Sequence, residues 1–325
     1  MPFEKKYIVF GTGKYGDLAY RILGEKIAVY CSNDAKYGDK FHGIDVINAV
    51  DLHSYYEGTG YTVIMAVVKP SYIIQITRQL DFEKIPFVLL ENIAKDVVLE
   101  DAKKYEKMSP PFSFRYDPQF NFLFPLDRYQ NSGSISSYLW QDLWAAHHIL
   151  KNKPSQHFDI GSRIDGFVTH LLAGDINVVT IDIRPYPYSL PGLTFVKADA
   201  THLDGIDDES IESLSALCSL EHFGLGRYGD PIDPMACFKC FDAITRKMKK
   251  GGMLYLSVPV GREHLEFNAH RVFSASSIVS TFKDFELIEY SVCMNEEYEE
   301  NVRIDKYDDA TGHGERFGLF LLKKK

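Results

Sequence analysis

His157-Phe158-Asp159-Ile160-Gly161-Ser162-Arg163-Ile164-Asp165-Gly166 opens a series of four apolar runs in the second half of the chain. Val178-Val179-Thr180-Ile181-Asp182, Phe195-Val196-Lys197-Ala198-Asp199 and Ala216-Leu217-Cys218-Ser219-Leu220-Glu221-His222 follow it. Each run is rich in β-formers and closes on an acid or a polar pair, which reads as four strand ends. In an open parallel sheet, ligands sit where the carboxyl ends of the strands meet their loops.

Carboxylates in successive loops suit a ligand with an ammonium group, a ribose and an adenine amine, a set that describes S-adenosylmethionine better than NAD. Asp159 is placed to meet the ammonium, and Gly161 to let the backbone approach the methionine part. Asp182 is placed to accept the ribose hydroxyls, and Asp199, with the backbone at Ala200, to meet the adenine amine. The plain alternative for each acid is a cap on a helix or turn.

Working outward, the pattern predicts a helix over 136–151 carrying Trp140 and Trp144, and a break at Pro154. Downstream it predicts a helix over 235–248, then Lys249-Lys250-Gly251-Gly252 as its C-terminal cap before a strand at 253–258. A helix near 274–281 and strands at 285–293 and 317–322 complete the unit. An acidic loop at 295–309 joins the last two strands, which we read as an antiparallel pair.

The first third has its own α/β rhythm. Strands are expected at 7–10, 26–30, 62–67 and 87–90, with helices at 17–23, 71–80 and 94–107, and alternation of this kind predicts a parallel sheet. Ser109-Pro110-Pro111 stops the last helix. An aromatic stretch with Phe112, Phe114, Tyr116, Phe120, Phe122 and Phe124 then reads as a packed connection, since disordered segments lack aromatics. Gly11-x-Gly13-x-x-Gly16 stands between a strand and a helix, the context a dinucleotide fingerprint needs, with Asp34 as a late ribose acid.

The expected fold class is therefore α/β with two Rossmann-like doubly wound sheets. A nucleotide-binding domain spans 1–107, an aromatic linker and connecting helix 108–153, and a second domain 154–325.

The chain has 325 residues, room for two domains. Its net charge of −9 disfavours a nucleic-acid groove. Five scattered cysteines fit reduced thiols, and Cys237 with Cys240 lack a second pair for a zinc site, so no metal is expected. Met1-Pro2-Phe3-Glu4 reads as no leader, and no apolar run is long enough for a span, so a cytoplasmic protein is expected. A homo-oligomer is left open.

Tyr138-Leu139-Trp140-Gln141-Asp142-Leu143-Trp144, Asp159 to Phe167, Asp182-Ile183-Arg184-Pro185 and Ser219 to Gly224 together resemble the class I S-adenosylmethionine-dependent methyltransferases over residues 136–325. Within that class they look most like a methyltransferase-like family found with bacterial surface-polysaccharide genes. The resemblance implies a sheet with a terminal antiparallel strand pair and methyl transfer to a hydroxyl of a sugar or nucleotide-linked sugar. One departure is plain: Arg163 and Asp165 stand where class members carry glycines, with Gly166 after them. Arg163 is expected either to hold the cofactor carboxylate as a bidentate partner or to obstruct the cofactor. The obstructed case leaves a non-catalytic scaffold.

An oxygen nucleophile needs a base that titrates near neutrality, so His222 is the first candidate and His270 the second, with Glu221 orienting or contacting substrate. Gln141, Arg227, Tyr228 and Arg271 are candidate substrate contacts, Arg227 and Tyr228 on a glycine-rich loop placed to close over the site. Residues 5–92 resemble the nucleotide-sugar-binding domain of certain bacterial sugar acetyltransferases, carried by Phe10 to Gly16, Asn33-Asp34 and Gly43-Ile44-Asp45-Val46. An NAD-dependent sugar oxidoreductase ranks last, for want of a Tyr-x-x-x-Lys placed for that chemistry.

Overall fold

Four consecutive apolar residues, Tyr7–Phe10, are buried on both faces, the signature of a central parallel strand. They form β1 in a computed structural model that describes residues 5–108, 114–133, 135–184, 186–312 and 314–325. The sequence readings at Met1 to Glu4, Ser109-Pro110-Pro111, Phe112 and Pro185 lie outside the described residues. The chain divides into two compact units, residues 1–134 and 135–325.

In the first unit, β1 is followed by α1 (Lys14–Leu23), β2 (Ile27–Ser32), β3 (Lys40–Phe41), β4 (Ile44–Asn48), α2 (Leu52–Thr59), β5 (Thr62–Met65), α3 (Pro70–Phe82), β6 (Phe87–Leu89) and α4 (Leu90–Lys107). The strand order is β3-β4-β2-β1-β5-β6, parallel except for the short β3. Leu18, Ala19 and Leu23 of α1 and Ala94 of α4 cover one face. Leu52 of α2 with Ile76 and Leu80 of α3 covers the other. Residues 40–59 carry β3, β4 and α2, which the sequence pattern missed. Their strands are short and only partly buried, so the apolar period that marks a core strand is weak there.

The second unit runs α5 (Ser137–Asn152), β7 (His157–Ile160), α6 (Thr169–Ala173), β8 (Val178–Asp182), β9 (Leu193–Lys197), β10 (Ile211–Leu217), α7 (Ala236–Lys247), β11 (Met248–Pro259), β12 (His264–Glu266), β13 (His270–Val272), α8 (Ala275–Thr281), β14 (Phe285–Met294), β15 (Glu297–Glu299) and β16 (Arg316–Lys324). Its eight-stranded sheet has the order β15-β14-β16-β11-β10-β7-β8-β9. The five strands from β11 to β9 are parallel; β16 pairs antiparallel with both β11 and β14. This is the class I methyltransferase order, ending in the antiparallel pair.

Trp144 and Ile149 of α5 and Leu171 of α6 pack on one face, and Phe241 and Ile244 of α7 with Ile278 of α8 on the other. α5, read from sequence as part of a connection over 108–153, thus belongs to the core of the second unit. Ser136 caps its N-terminus, its side chain accepting from Leu139 N at 3.4 Å.

Three local readings change. Lys249-Lys250-Gly251-Gly252 is not a helix cap: Met248 is already extended, and the four residues form an irregularity within β11, between the Ile211–Met248 and Ser213–Met253 pairs with β10. The third run ends as strand at Lys197, leaving Ala198 and Asp199 in the loop, and the fourth ends at Leu217. Leu220–His222 is a 3-10 turn, which swings His222 out of strand register.

The chain passes from β7 outward to β8 and β9, then crosses back to β10 on the other side of β7. That reversal opens a crevice at the strand ends. The first unit repeats the device, with β2 and β5 flanking β1.

Candidate functional site

A cavity of ≈ 270 Å³ fills the crevice of the second unit. Gly161, Asp182, Asp199, Ala200, Cys218 and His222 line it. All four strand-end loops therefore reach the cavity with at least one expected residue. Gly161 adopts φ +71°, and a Cβ there would stand 3.0 Å from Ser219 Cβ, so a side chain would both strain the turn and crowd the cavity. Cys218 also holds a left-handed φ of +46° at the pocket wall, the kind of backbone outlier that gathers at functional sites.

Asp182 faces the cavity but is occupied: its Oδ1 accepts from Arg184 N at 2.8 Å, and its Oδ2 from Arg184 Nη2 at 2.5 Å. The Arg184 guanidinium in turn stacks on the Tyr228 ring, 4.4 Å from its centroid. Arg227 lies over the same ring at 5.2 Å. The glycine-rich loop is tied by Asp230, whose carboxylate accepts from the amides of Gly224 (2.7 Å), Gly226 (3.3 Å) and Tyr228 (3.2 Å). Asp199 Oδ1 accepts from Thr201 N at 2.8 Å and caps its own turn.

Asp159 departs from expectation. It is fully buried and does not line the cavity. It accepts from Ser162 N (3.1 Å), Ser162 Oγ (2.7 Å) and Ser215 Oγ (2.5 Å). Ser215 spends its proton on Asp159, so it accepts from His157 Nε2, 2.9 Å away. His157 Nδ1 then accepts from Ser213 Oγ at 2.8 Å, an assignment the network fixes. Burial pushes the Asp159 carboxyl up to about 6 and the His157 imidazole down to about 3. Asp159 shapes the loop from below.

Arg163 does not line the cavity either. It is exposed and donates to Asp165 through Nε (3.1 Å) and Nη2 (2.7 Å), which turns the two glycine replacements into a self-contained ion pair outside the cavity. Gly166 is packed under α5, where a Cβ would lie 2.7 Å from Asp142 Oδ2. Gln141 is buried beside Asp142.

His222 lies at the cavity wall. Its Nδ1–H donates to Ala269 O at 2.6 Å, leaving Nε2, 3.4 Å from Glu221 Oε1, as the acceptor. Burial lowers the imidazole to about 4 and raises the Glu221 carboxyl to about 8. Glu221 Oε2 is buried with no hydrogen-bond partner among the described residues. Arg227 Nη1 donates to the same Ala269 carbonyl at 3.0 Å.

His270 stands behind this pair, its Nε2 3.1 Å from Glu266 Oε2, and does not reach the cavity. Arg271 donates to the carbonyls of Glu221 (3.3 Å), Phe223 (2.7 Å) and Pro234 (3.3 Å). It holds the loop from the far side and lines a separate groove, not the cavity.

In the first unit a cavity of ≈ 500 Å³ takes Gly11, Gly13, Lys14, Asp34 and Lys69 into its wall. Gly11 has φ +123°, and its Cβ would strike Ala66 O at 2.5 Å. A Cβ on Gly16 would meet Gly11 O at 2.3 Å, so Gly16 serves the close approach of α1 to β1 and not the cavity. Gly13 has open space where its Cβ would be. No side chain caps α1, so its first amides face a wall that also carries two lysines.

Asp142, Cys218, Asp230 and the Arg184–Tyr228 stack were not singled out from sequence. Asp142, Arg184 and Cys218 stood inside quoted strings without a role of their own, and Asp230 closes the loop Gly224-Leu225-Gly226-Arg227-Tyr228-Gly229.

Among the described residues no cluster of three or more His, Cys, Asp or Glu is placed to hold a metal, and no helix is long and apolar enough to cross a membrane. Cys237 and Cys240 are buried in α7 with their thiols pushed up by burial.

A family described as a Caenorhabditis protein of unknown function, DUF268, matches residues 199–323. No curated protein matches the chain. Among solved structures, the chain is similar to the 1,6-didemethyltoxoflavin-N1-methyltransferase of Burkholderia thailandensis, with bound 1,6-didemethyltoxoflavin and S-adenosylhomocysteine. That pair is 16% identical over 58% of this chain and 78% of the other, with a TM-score of 0.41. The N-methyltransferase NodS of Bradyrhizobium japonicum WM9, in complex with S-adenosylhomocysteine, is 11% identical over 58% and 88%, with a TM-score of 0.40. A SAM-dependent methyltransferase of Methanosarcina mazei is 18% identical over 54% and 96%, with a TM-score of 0.38.

Proposed function

We propose that residues 135–325 bind S-adenosylmethionine in the ≈ 270 Å³ cavity and transfer its methyl group to a hydroxyl of a sugar or nucleotide-linked sugar. The observation that carries the reading is the convergence of Gly161, Asp182 and Asp199 on one cavity at the reversal point of a sheet in the class I methyltransferase order. The residues suit the cofactor: a side-chain-free turn at Gly161, an acid for the ribose hydroxyls at Asp182, and an acid beside the Ala200 backbone for the adenine amine. For Asp182 to receive the ribose, the Arg184 guanidinium must turn away, and its stack on Tyr228 is released with it.

When bound, the cofactor supplies a methyl group on a sulfonium whose departure leaves a neutral thioether, so alignment is the main task of the protein. His222 is neutral at pH 7, and its Nε2, 3.5 Å from Arg227 Nη1, is the nitrogen that would take the proton of an acceptor hydroxyl, as a base that burial has made weaker than the sequence reading expected. Glu221 Oε1, 3.4 Å from that nitrogen, belongs to a carboxyl that burial keeps protonated at pH 7, so it holds the imidazole in place and takes up no second proton. The sugar acceptor and a role in bacterial surface-polysaccharide synthesis rest on the sequence resemblance. So does a nucleotide sugar in the first unit, where the uncapped helix start with Lys14 and Lys69 suits a diphosphate.

Isothermal titration with S-adenosylmethionine tests the reading. Micromolar binding that disappears in Asp182→Ala supports it. Absence of heat at millimolar cofactor leaves the second reading, a scaffold in which Arg184 fills the ribose site permanently.

A further inference from the structure

Tyr228 gathers two guanidinium groups at the cavity wall. Arg184 lies 4.4 Å from its ring centroid and Arg227 5.2 Å. The same ring meets His222 edge to face, with 5.5 Å between centroids. Arg184, Tyr228 and His222 all line the cavity, and Arg227 Nη1 comes within 3.5 Å of His222 Nε2.

One carboxylate serves the two cations. Asp182 accepts from Arg184 Nε at 3.0 Å and from Nη2 at 2.5 Å. Arg227 forms no ion pair among the described residues; its Nη1 donates to Ala269 O at 3.0 Å, and the Glu221 carboxyl that feels its charge is kept protonated at pH 7 by burial. The other acids of the wall are engaged. Asp199 caps its own turn, Asp230 accepts from three amides, and Asp233 is paired with Lys239 Nζ at 2.7 Å.

Once ribose hydroxyls occupy Asp182, the Arg184 guanidinium gives up both side-chain bonds, and no unengaged carboxylate of the wall stands ready for it. Two cations then flank one aromatic ring beside the candidate base. A phosphate or carboxylate offers each guanidinium a pair of charged acceptor oxygens, which a neutral sugar hydroxyl does not.

We propose that the acceptor carries an anionic group close to its reacting hydroxyl, and that Arg227 and the Arg184 released from Asp182 hold that group. The inference rests on the methyl-donor reading of the cavity and narrows the acceptor to a sugar bearing a phosphate or a carboxylate. Cofactor binding thereby completes the acceptor site, since Arg184 grips the anion only after it has left Asp182.

Calorimetry on the full chain saturated with S-adenosylhomocysteine compares glucose 1-phosphate, glucuronate and glucose. At least one anionic probe should bind about 10- to 100-fold more tightly than glucose, the scale of a charge-assisted pair. Preference for the phosphate identifies a phosphorylated or nucleotide-linked sugar, and preference for glucuronate a uronic acid. The advantage should vanish without S-adenosylhomocysteine, and in Arg184→Leu and Arg227→Leu it should shrink to about threefold or less. Arg184→Leu should meanwhile bind S-adenosylhomocysteine about two- to fivefold more tightly, because the competitor for Asp182 is gone. That gain also shows that the variant folds. An anion advantage that persists without S-adenosylhomocysteine or in Arg184→Leu overturns the proposal and marks binding elsewhere in the chain. Equal affinity for the three probes, or heat from none of them, overturns it as well. If S-adenosylhomocysteine does not bind the unaltered protein, the methyl-donor reading falls and this proposal falls with it.

Discussion

Glu221 and His222 are neighbours whose ionisation burial shifts in opposite directions, and both shifts favour the neutral form. Burial moves the Glu221 carboxyl from 4.5 to about 8, and the His222 imidazole from 6.5 to about 4. Between pH 4.5 and 8 the unfolded chain has lost the Glu221 proton while the folded protein keeps it. Folding then binds a proton, and stability falls as pH rises through that window. Glu221→Gln removes the effect. The stability of the unaltered protein relative to this variant, taken from denaturant midpoints, should decline steadily from pH 4.5 to 8; a flat difference would sink the assignment.

His222 works the other way. The unfolded form takes up a proton below 6.5 and the folded form only near 4, so its contribution is lost as pH falls between these values. Nitrogen NMR should find its ring uncharged at pH 6, with the proton on Nδ1. An imidazolium at that pH contradicts the buried geometry.

At the level of elements, the loop from Gly224 to Asp230 behaves as a strap tied at one point. A single carboxylate, Asp230, accepts from three of its amides, and the strap's Tyr228 stacks on the guanidinium that covers Asp182. Asp230→Ala should cost about 2 kcal/mol of stability, the scale of losing hydrogen bonds to a charged acceptor. Amide exchange at Gly224 and Gly226 should accelerate, and unchanged protection there would show the strap is held by something else.

The legibility of the chain follows the same division between elements and what joins them. β8 reads out of the sequence because a strand covered on both faces is a nearly continuous apolar run, whereas only the end of β10 was legible, since Glu212, Ser213 and Ser215 interrupt its apolar residues. β12 and β13 did not: the segment His264-Leu265-Glu266 and its partner His270-Arg271-Val272 carry little apolar period. The acids show the limit at finer grain. Asp159 and Asp182 both stand at strand ends, yet one turns away from the cavity toward Ser162 and Ser215, and the other faces the cavity. The sequence marks that a carboxylate ends a strand; which face it takes depends on where the last residue falls in the pleat. Asp142 was illegible for another reason, since its partner Gly166 lies on a different element and their meeting is a product of how α5 docks.

Across the whole molecule, four hydrophobic clusters divide two and two between the units, with no residue held in common. Each unit also carries its own cavity at its own chain reversal. A ligand that binds the folded state of one unit raises the stability of that unit by mass action. Calorimetric melting should therefore resolve two transitions, one raised by S-adenosylhomocysteine and the other by a nucleotide sugar such as UDP-glucose. The glycines of the first unit allow the second response to be removed without harming the fold. Gly11 and Gly16 are fixed by backbone oxygens within 2.5 Å of any added Cβ, whereas Gly13 opens onto free space at the cavity wall. Gly13→Val should leave the ligand-free fold intact with a small fall at most in the melting temperature of the first unit, since an added Cβ meets nothing within 4 Å although valine is a poor helix N-cap. It should abolish the rise caused by the nucleotide sugar and spare the rise caused by S-adenosylhomocysteine. A nucleotide-sugar response that survives the valine would remove the first cavity from consideration as its binding site.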